Sequence, residues 1–122
     1  MSWNEGKLRP YKAGTDLSAK QYHFVKAGPN ANEVQAVTSI AYVVVGIVMN
    51  NPGLGEQAEV AKLGGGAKLK MVGVVAAGDL IKTDATGQGV VASVDGENCY
   101  ARAEAVSAAG DVTEVERVDR QF

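Results

Sequence analysis

Apolar residues in this chain come in short runs separated by glycine, asparagine and proline, and the longest run sits near its centre. Ile40–Met49 reads Ile-Ala-Tyr-Val-Val-Val-Gly-Ile-Val-Met, a β-branched composition that suits a buried strand. Asn50-Asn51-Pro52-Gly53 follows. Pro52 fixes φ and lacks an N–H, Gly53 and Gly55 permit positive φ, and the asparagines can satisfy turn backbone with their own side chains. The more polar stretch ending at Ala61 then reads as a second strand. Val43–Ala61 therefore predicts a strand, a tight loop and a strand, with one side apolar and one side wet. On strict alternation Val43, Val45 and Ile47 belong to the core face, joined by Val60, Leu69, Val91 and Val115 from later segments.

The same signals recur on both sides. A turn at Ala13-Gly14-Thr15-Asp16 precedes a first ordered strand at Gln21–Val25, Gly28-Pro29-Asn30 turns the chain, and Glu33–Ala36 returns it. After Gly64-Gly65-Gly66, the segment Ala67–Met71 alternates, placing Ala67, Leu69 and Met71 on one face and Lys68 and Lys70 on the other. Ala77-Gly78-Asp79-Leu80, Ala109-Gly110-Asp111-Val112 and, more loosely, Ala13-Gly14-Thr15-Asp16-Leu17 each set Gly and Asp before an apolar strand entry. Leu80–Thr83 and Gly89–Ser93 flank Asp84-Ala85-Thr86-Gly87, a hairpin signal. Cys99–Ala109 is alanine-rich and fits a strand, a short helix, or a strand ending in one helical turn, and Val112–Val118 closes the chain as a strand. This spacing of turns leaves room for at most one short helix, near Arg102–Ala108. The predicted fold is all-β: a small β-barrel or β-tulip-like sandwich of short strands with an extended N-terminal arm.

Composition narrows this further. A chain of 122 residues accommodates one core, which gives an expected division into an arm at 1–12 and a single domain at 13–122. Only 6% of the residues are aromatic and 15 are glycine, so Val, Ala, Leu and Ile must build that core. A formal net charge of −2 exerts no general pull toward nucleic acid or an anionic membrane, but its distribution is uneven. Residues 1–26 carry five basic against two acidic side chains, a balance of +3, whereas residues 95–122 carry three against seven, a balance of −4. The two ends either pair, within or between chains, or form two solvated faces.

Candidate chemistry is sparse. The N-terminus lacks the apolar core of a signal peptide, and Ile40–Met49 falls far short of the roughly 20 residues that span a bilayer, which leads to an expectation of a protein made and kept in the cytosol of its producing cell. Cys99 stands alone, so no internal disulfide or cysteine metal pair is expected. His23, the one histidine, reads as a packed strand residue rather than a base or ligand. The Gly64–Gly66 triplet lacks the following helix and Lys-Ser/Thr pair of a phosphate loop. No cofactor, metal or catalytic residue is expected.

Met1–Lys12 is different in kind, because it has no strand or helix period yet holds the only Trp, a Leu, a Tyr and three basic residues. Disordered tails are poor in such anchors, and Trp and Arg are enriched at binding hot spots. Trp3, Lys7, Leu8, Arg9, Tyr11 and Lys12 are therefore the candidate partner-binding residues, laid over the domain itself or docked on a neighbour.

Val-Gly-Ile-Val-Met-Asn-Asn-Pro-Gly-Leu-Gly-Glu-Gln-Ala-Glu-Val, a Gly-rich link into an alternating strand, Ala-Ala-Gly-Asp-Leu with its Thr-Asp-Ala-Thr-Gly turn, and finally Ala-Arg-Ala-Glu-Ala…Ala-Gly-Asp-Val follow one another in this chain. In that order they resemble the capsid decoration, or cement, proteins of tailed bacteriophages over roughly residues 14–118. The resemblance implies a small β-rich virion protein on the outer surface of the assembled head, often a trimer. Its partners would be the major capsid protein and itself, and it would reinforce the shell against internal DNA pressure. It carries over no catalytic or cofactor residue and no partner contact, and residues 1–12 lie outside it. Two other classes compete: a surface-displayed β-barrel that binds host glycans or another protein, using Trp3, Tyr11, Tyr22 or Tyr42 as platforms, and an enzyme, against which the lack of a nucleophile–base pair weighs.

Overall fold

The β-branched run at the centre of the chain forms a strand, Val44–Val48, that is buried on both faces. In the computed structural model, which describes residues 8–39, 44–62, 66–93, 96–106 and 110–121, it is the fourth of ten strands. In order these are β1 (Leu8–Ala13), β2 (Phe24–Ala27), β3 (Glu33–Ala36), β4 (Val44–Val48), β5 (Gln57–Ala61), β6 (Gly66–Lys70), β7 (Leu80–Thr83), β8 (Gly89–Val91), β9 (Asn98–Ala103) and β10 (Val112–Gln121). Among the described residues there is no helix. The fold is all-β, as the turn spacing predicted.

The first five strands close into a barrel in the order β1-β3-β2-β4-β5, antiparallel throughout except for the parallel β1–β3 pair. A barrel of so few strands encloses little space. Ala13, Leu17, Val25, Val34, Val48, Ala58 and Val60 fill it, with Tyr11, Ala36 and Val45 packed against them, which accounts for a composition rich in small apolar residues. The other five form an antiparallel sheet in the order β6-β10-β9-β7-β8. This sheet curls back on itself: Met71, just past β6, bridges Gly89 of β8, and Val72 N–H donates to the Gly89 carbonyl at 2.9 Å. A Cβ on Gly89 would lie 2.6 Å from both Leu69 Cδ2 and Met71 Sδ, so a larger residue cannot enter that closure.

A second apolar core joins the two halves. Phe24, Val37, Val44, Ile47 and Ala61 of the first half pack on Leu69, Met71, Ile81, Tyr100, Ala101 and Val115 of the second, with Phe24 and Tyr100 meeting edge to face at 6.0 Å. β4 serves both cores because of a bulge. Phe24 pairs with Ile47, Val25 with Gly46 and Lys26 with Val44, leaving Val45 as the extra residue. Val44 and Ile47, three apart, thus both face the second sheet, while Val45 and Val48 face the barrel interior.

That bulge overturns the expected alternation of Val43, Val45 and Ile47 on one face. Val45 lies in the barrel, Ile47 between the halves, and Val43 outside the described residues. Val60, Leu69 and Val115 are fully buried as expected, and Val91 is partly buried against the second core. Leu80–Thr83 and Gly89–Val91 form the expected hairpin. In its turn the Asp84 carboxylate accepts from Thr86 N–H, Thr86 Oγ1 and Gln88 N–H, and the Gly87 carbonyl accepts from Phe24 N–H of the barrel. Ala76 N–H donates to Asp79 Oδ2 in the Ala-Gly-Asp turn. Leu17, expected to open a strand, is buried in the barrel without one. Gln21–Tyr22 form a turn, and the strand expected from Gln21 begins at Phe24. Asn98–Ala103 is strand and residues 104–106 are bend and coil, so the expected short helical stretch is absent as far as residue 106; its last two positions, 107 and 108, lie outside the described residues.

Arg117 is a buried side-chain link between the halves. It is 3% exposed and donates to the carbonyls of Ala61 on β5, Val45 on β4, and Tyr100 and Val118 in the second sheet. Burial pulls its pKa down to about 10, which leaves it charged at neutral pH.

Candidate partner-binding surface

Of the six residues expected to bind a partner, Trp3 and Lys7 lie outside the described residues. The other four are in β1, between β3 and β5, so Leu8–Lys12 belong to the barrel wall rather than to an extended arm. Leu8, opposite Ala61, is half-buried against the core between the halves. Arg9 and Lys12 are exposed. Tyr11 packs its ring against the barrel core and keeps its hydroxyl at the surface, where Lys62 Nζ donates to it at 3.1 Å. The Arg9 guanidinium and the Lys62 ammonium lie 5.8 and 5.5 Å from the Tyr11 ring centroid, within reach of the ring quadrupole.

The result is a basic rim with an aromatic centre at one mouth of the barrel. Among the described residues no carboxylate forms an ion pair with Arg9, Lys12 or Lys62; the two pairs present are Lys82–Glu97 and Arg102–Glu116. Lys62 carried no signal in the sequence, because its place beside Tyr11 follows from the β1–β5 register.

A second surface lies at the far end of the other sheet. Val72, Val74, Val106 and Val112 are 47, 71, 73 and 43% exposed, and Glu104 and Asp111 beside them are also exposed. The loops that carry them are tied together by backbone bonds, Gly110 N–H to the Met71 carbonyl and Met71 N–H to the Asp111 carbonyl, both at 2.9 Å. Gly78 and Gly110 hold φ of 92° and 82°, the left-handed geometry that favours glycine in such turns. The sequence pattern marked these turns but not the exposure of the valines, since an isolated Val is indistinguishable from a core residue in a short strand.

His23 is buried, 5% exposed, with Nδ1 donating to the Gln21 carbonyl at 3.1 Å, and burial lowers its pKa. Cys99 is buried. Among the described residues no three His, Cys, Asp or Glu side chains are grouped to hold a metal ion. Of the tyrosines considered as platforms, Tyr22 is half-buried and Tyr42 lies outside the described residues. A polar concavity of about 220 Å³ is lined by Lys82, Thr83, Glu97, Asn98 and Tyr100, where Lys82 and Glu97 pair with each other.

No protein-family model and no curated protein matches this chain. Its fold is similar to that of the N base of the head fiber gp8.5 of bacteriophage phi29, with a TM-score of 0.65 at 11% sequence identity, over 94% of this chain and 96% of that one.

Proposed function

We propose that this chain is a non-enzymatic structural protein of a phage virion, which binds the outer surface of the assembled head, acts as a homotrimer and cements the shell. The observation that carries the reading is the end-to-end likeness of fold to the base of a phage head fiber. Residue motifs independently resemble head decoration proteins. The surface is consistent with such a role: a basic aromatic barrel mouth and an end bearing exposed valines leave two areas of distinct chemistry open to partners. Co-sedimentation with purified, expanded heads tests it. Saturable binding that raises the resistance of the heads to heat or osmotic shock is expected, and a protein that stays in the supernatant at every ratio overturns the reading.

A further inference from the structure

We propose that the corner formed by Lys20–Phe24 is a pH-operated latch between the barrel and the second sheet, released locally when His23 takes up a proton. The latch lies within one chain and does not depend on the head-binding reading.

Backbone bonds from this corner run to both sides of the joint. Tyr22 N–H donates to the Val48 carbonyl of β4 at 2.7 Å, Val48 N–H donates back to the His23 carbonyl at 3.0 Å, and Lys70 N–H of β6 donates to the Tyr22 carbonyl at 2.8 Å. Phe24 N–H donates to the Gly87 carbonyl in the β7–β8 turn at 2.7 Å, and the Phe24 ring enters the core between the halves. That turn is packed directly on the corner, since a Cβ on Gly87 would lie 2.7 Å from the Phe24 carbonyl oxygen and 3.5 Å from His23 Cβ. Tyr22 is held at a φ of 65°, a left-handed conformation that an aromatic residue adopts only under constraint. The bonds to Val48 and Lys70 supply that constraint, so the corner relaxes once they loosen.

His23 is where a charge enters this joint. Its side chain is buried and Nδ1–H is committed to the Gln21 carbonyl, which leaves Nε2 as the nitrogen that takes a proton. The charged groups facing it are Lys20 of the corner, Lys70 at the end of β6 and Asp84 of the hairpin turn; Val48 and Met49, on the β4 side, carry none. Burial is the main obstacle to the charge, the lysines add to it, and the Gln21 bond and Asp84 only partly offset them. Asp84 is also tied to its own turn, where its Oδ1 accepts from Thr86 N–H, Thr86 Oγ1 and Gln88 N–H. An imidazolium is therefore relieved in one of two ways. Moving toward water and away from Lys20 and Lys70 breaks the bonds of the corner to β4 and β6, and drawing the Asp84 carboxylate toward the ring loosens the turn that holds Phe24. Both open the same joint, while Arg117 still binds the halves through Ala61 and Val45, so the opening is local.

The test is amide hydrogen exchange of the full chain by NMR at about pH 7.5 and about pH 5.5, which bracket the ordinary histidine pKa and lie above the carboxylate range. Rates are normalised for intrinsic exchange at each pH. In the wild type the Tyr22, Phe24, Val48 and Lys70 amides should lose protection at the lower pH while the amides of β9 and β10 keep theirs. His23→Gln cannot titrate and should be equally protected at both pH values, with its circular dichroism spectrum checking that it folds. Lys20→Gln with Lys70→Gln changes two half-buried side chains and keeps the histidine; the His23 ring titration should move to higher pH and the loss of protection should shrink. Unmoved corner amides in the wild type, a loss shared equally by β9 and β10, an equal loss in His23→Gln, or a lysine variant with the wild-type ring titration overturns the latch.

Discussion

Arg117 Nε lies 3.3 Å from the carbonyl oxygen of Ala61, so a charged side chain of the last strand bonds the backbone of the barrel wall. The same guanidinium reaches Val45 in the bulged strand and Tyr100 and Val118 in its own sheet. Those carbonyls solvate a cation that burial would otherwise make costly. Arg117→Ala would strip the carbonyls of their donor and leave a void between the halves. A loss of about 3–5 kcal/mol is expected in urea unfolding. Arg117→Lys should recover only part of it, because an ammonium cannot reproduce the guanidinium fork. An unchanged midpoint for Arg117→Ala would show that the apolar core alone holds the halves together.

The bulge at Val45 makes β4 equally sensitive. Gly46 faces β5 so closely that a Cβ would sit 2.4 Å from the Ala61 carbonyl oxygen and 2.5 Å from Val60 Cγ1. Backbone cannot move aside as a flexible side chain can, so Gly46→Ala should cost about 1–3 kcal/mol by overpacking. Ile47→Ala opens a cavity between the halves and should cost about 2–5 kcal/mol. The two sites are close enough to couple, and the double variant should depart from additivity. Thermal melts of the three variants check this, and a Gly46→Ala protein as stable as wild type would remove the claim of a required close approach.

Much of this fold was legible in the residues, and the failures share a cause. Glu33–Ala36, the Ala67–Met71 alternation and the Asp84–Gly87 hairpin were readable because local chemistry decides them: alternation for one buried face, and Asp and Gly for the turn. Two features were not. Leu8–Ala13 reads as a patternless tail because Pro10 and three basic or aromatic residues mask its period, and only pairing with β3 and β5 makes it a strand. The bulge at Val45 is likewise invisible in a run where every residue is apolar, since no polar position reports the slip. The candidate surfaces inherit both limits: Lys62 joins Tyr11 only through the β1–β5 register, and the exposed valines look like core.

His23 predicts how stability depends on pH. It is desolvated at the junction of the barrel with the β7–β8 hairpin, and burial lowers its pKa despite the bond to the Gln21 carbonyl; Lys20 and Lys70 lower it further and Asp84 opposes them. The unfolded chain, with a histidine pKa near 6.5, therefore binds the proton more readily than the folded one. Its contribution to stability is complete above about pH 6.5 and is lost as pH falls below that toward the folded value. The melting temperature should fall through this window, above the range where carboxylates titrate, and His23→Gln should flatten the slope there. An equal slope in the variant would assign the acid sensitivity to other groups.

Removal of Met1–Lys12 tests whether the N-terminal segment is appendage or wall. From the sequence alone its loss would leave the β-domain folded and weaken only association. The structure changes that expectation, because the deletion takes five of the six residues of β1, along with the partners of β5 from Leu8↔Ala61 to Lys12↔Gln57 and the Lys12↔Glu33 contact with β3. Two strands would then present unpaired N–H and C=O groups on edges that a closed barrel does not have. The Tyr11 ring would leave the barrel mouth, exposing Ala58 and Val60 beneath it. The truncated chain should aggregate or show a much lower melting temperature, with loss of protection from hydrogen exchange concentrated in β3 and β5, while β9 and β10 keep theirs longest. Point changes at the same surface, such as Arg9→Glu with Lys12→Glu, leave β1 paired and should alter association without moving the melting temperature by more than about 2–4 °C. A truncated protein that melts like wild type would show that the barrel closes without β1.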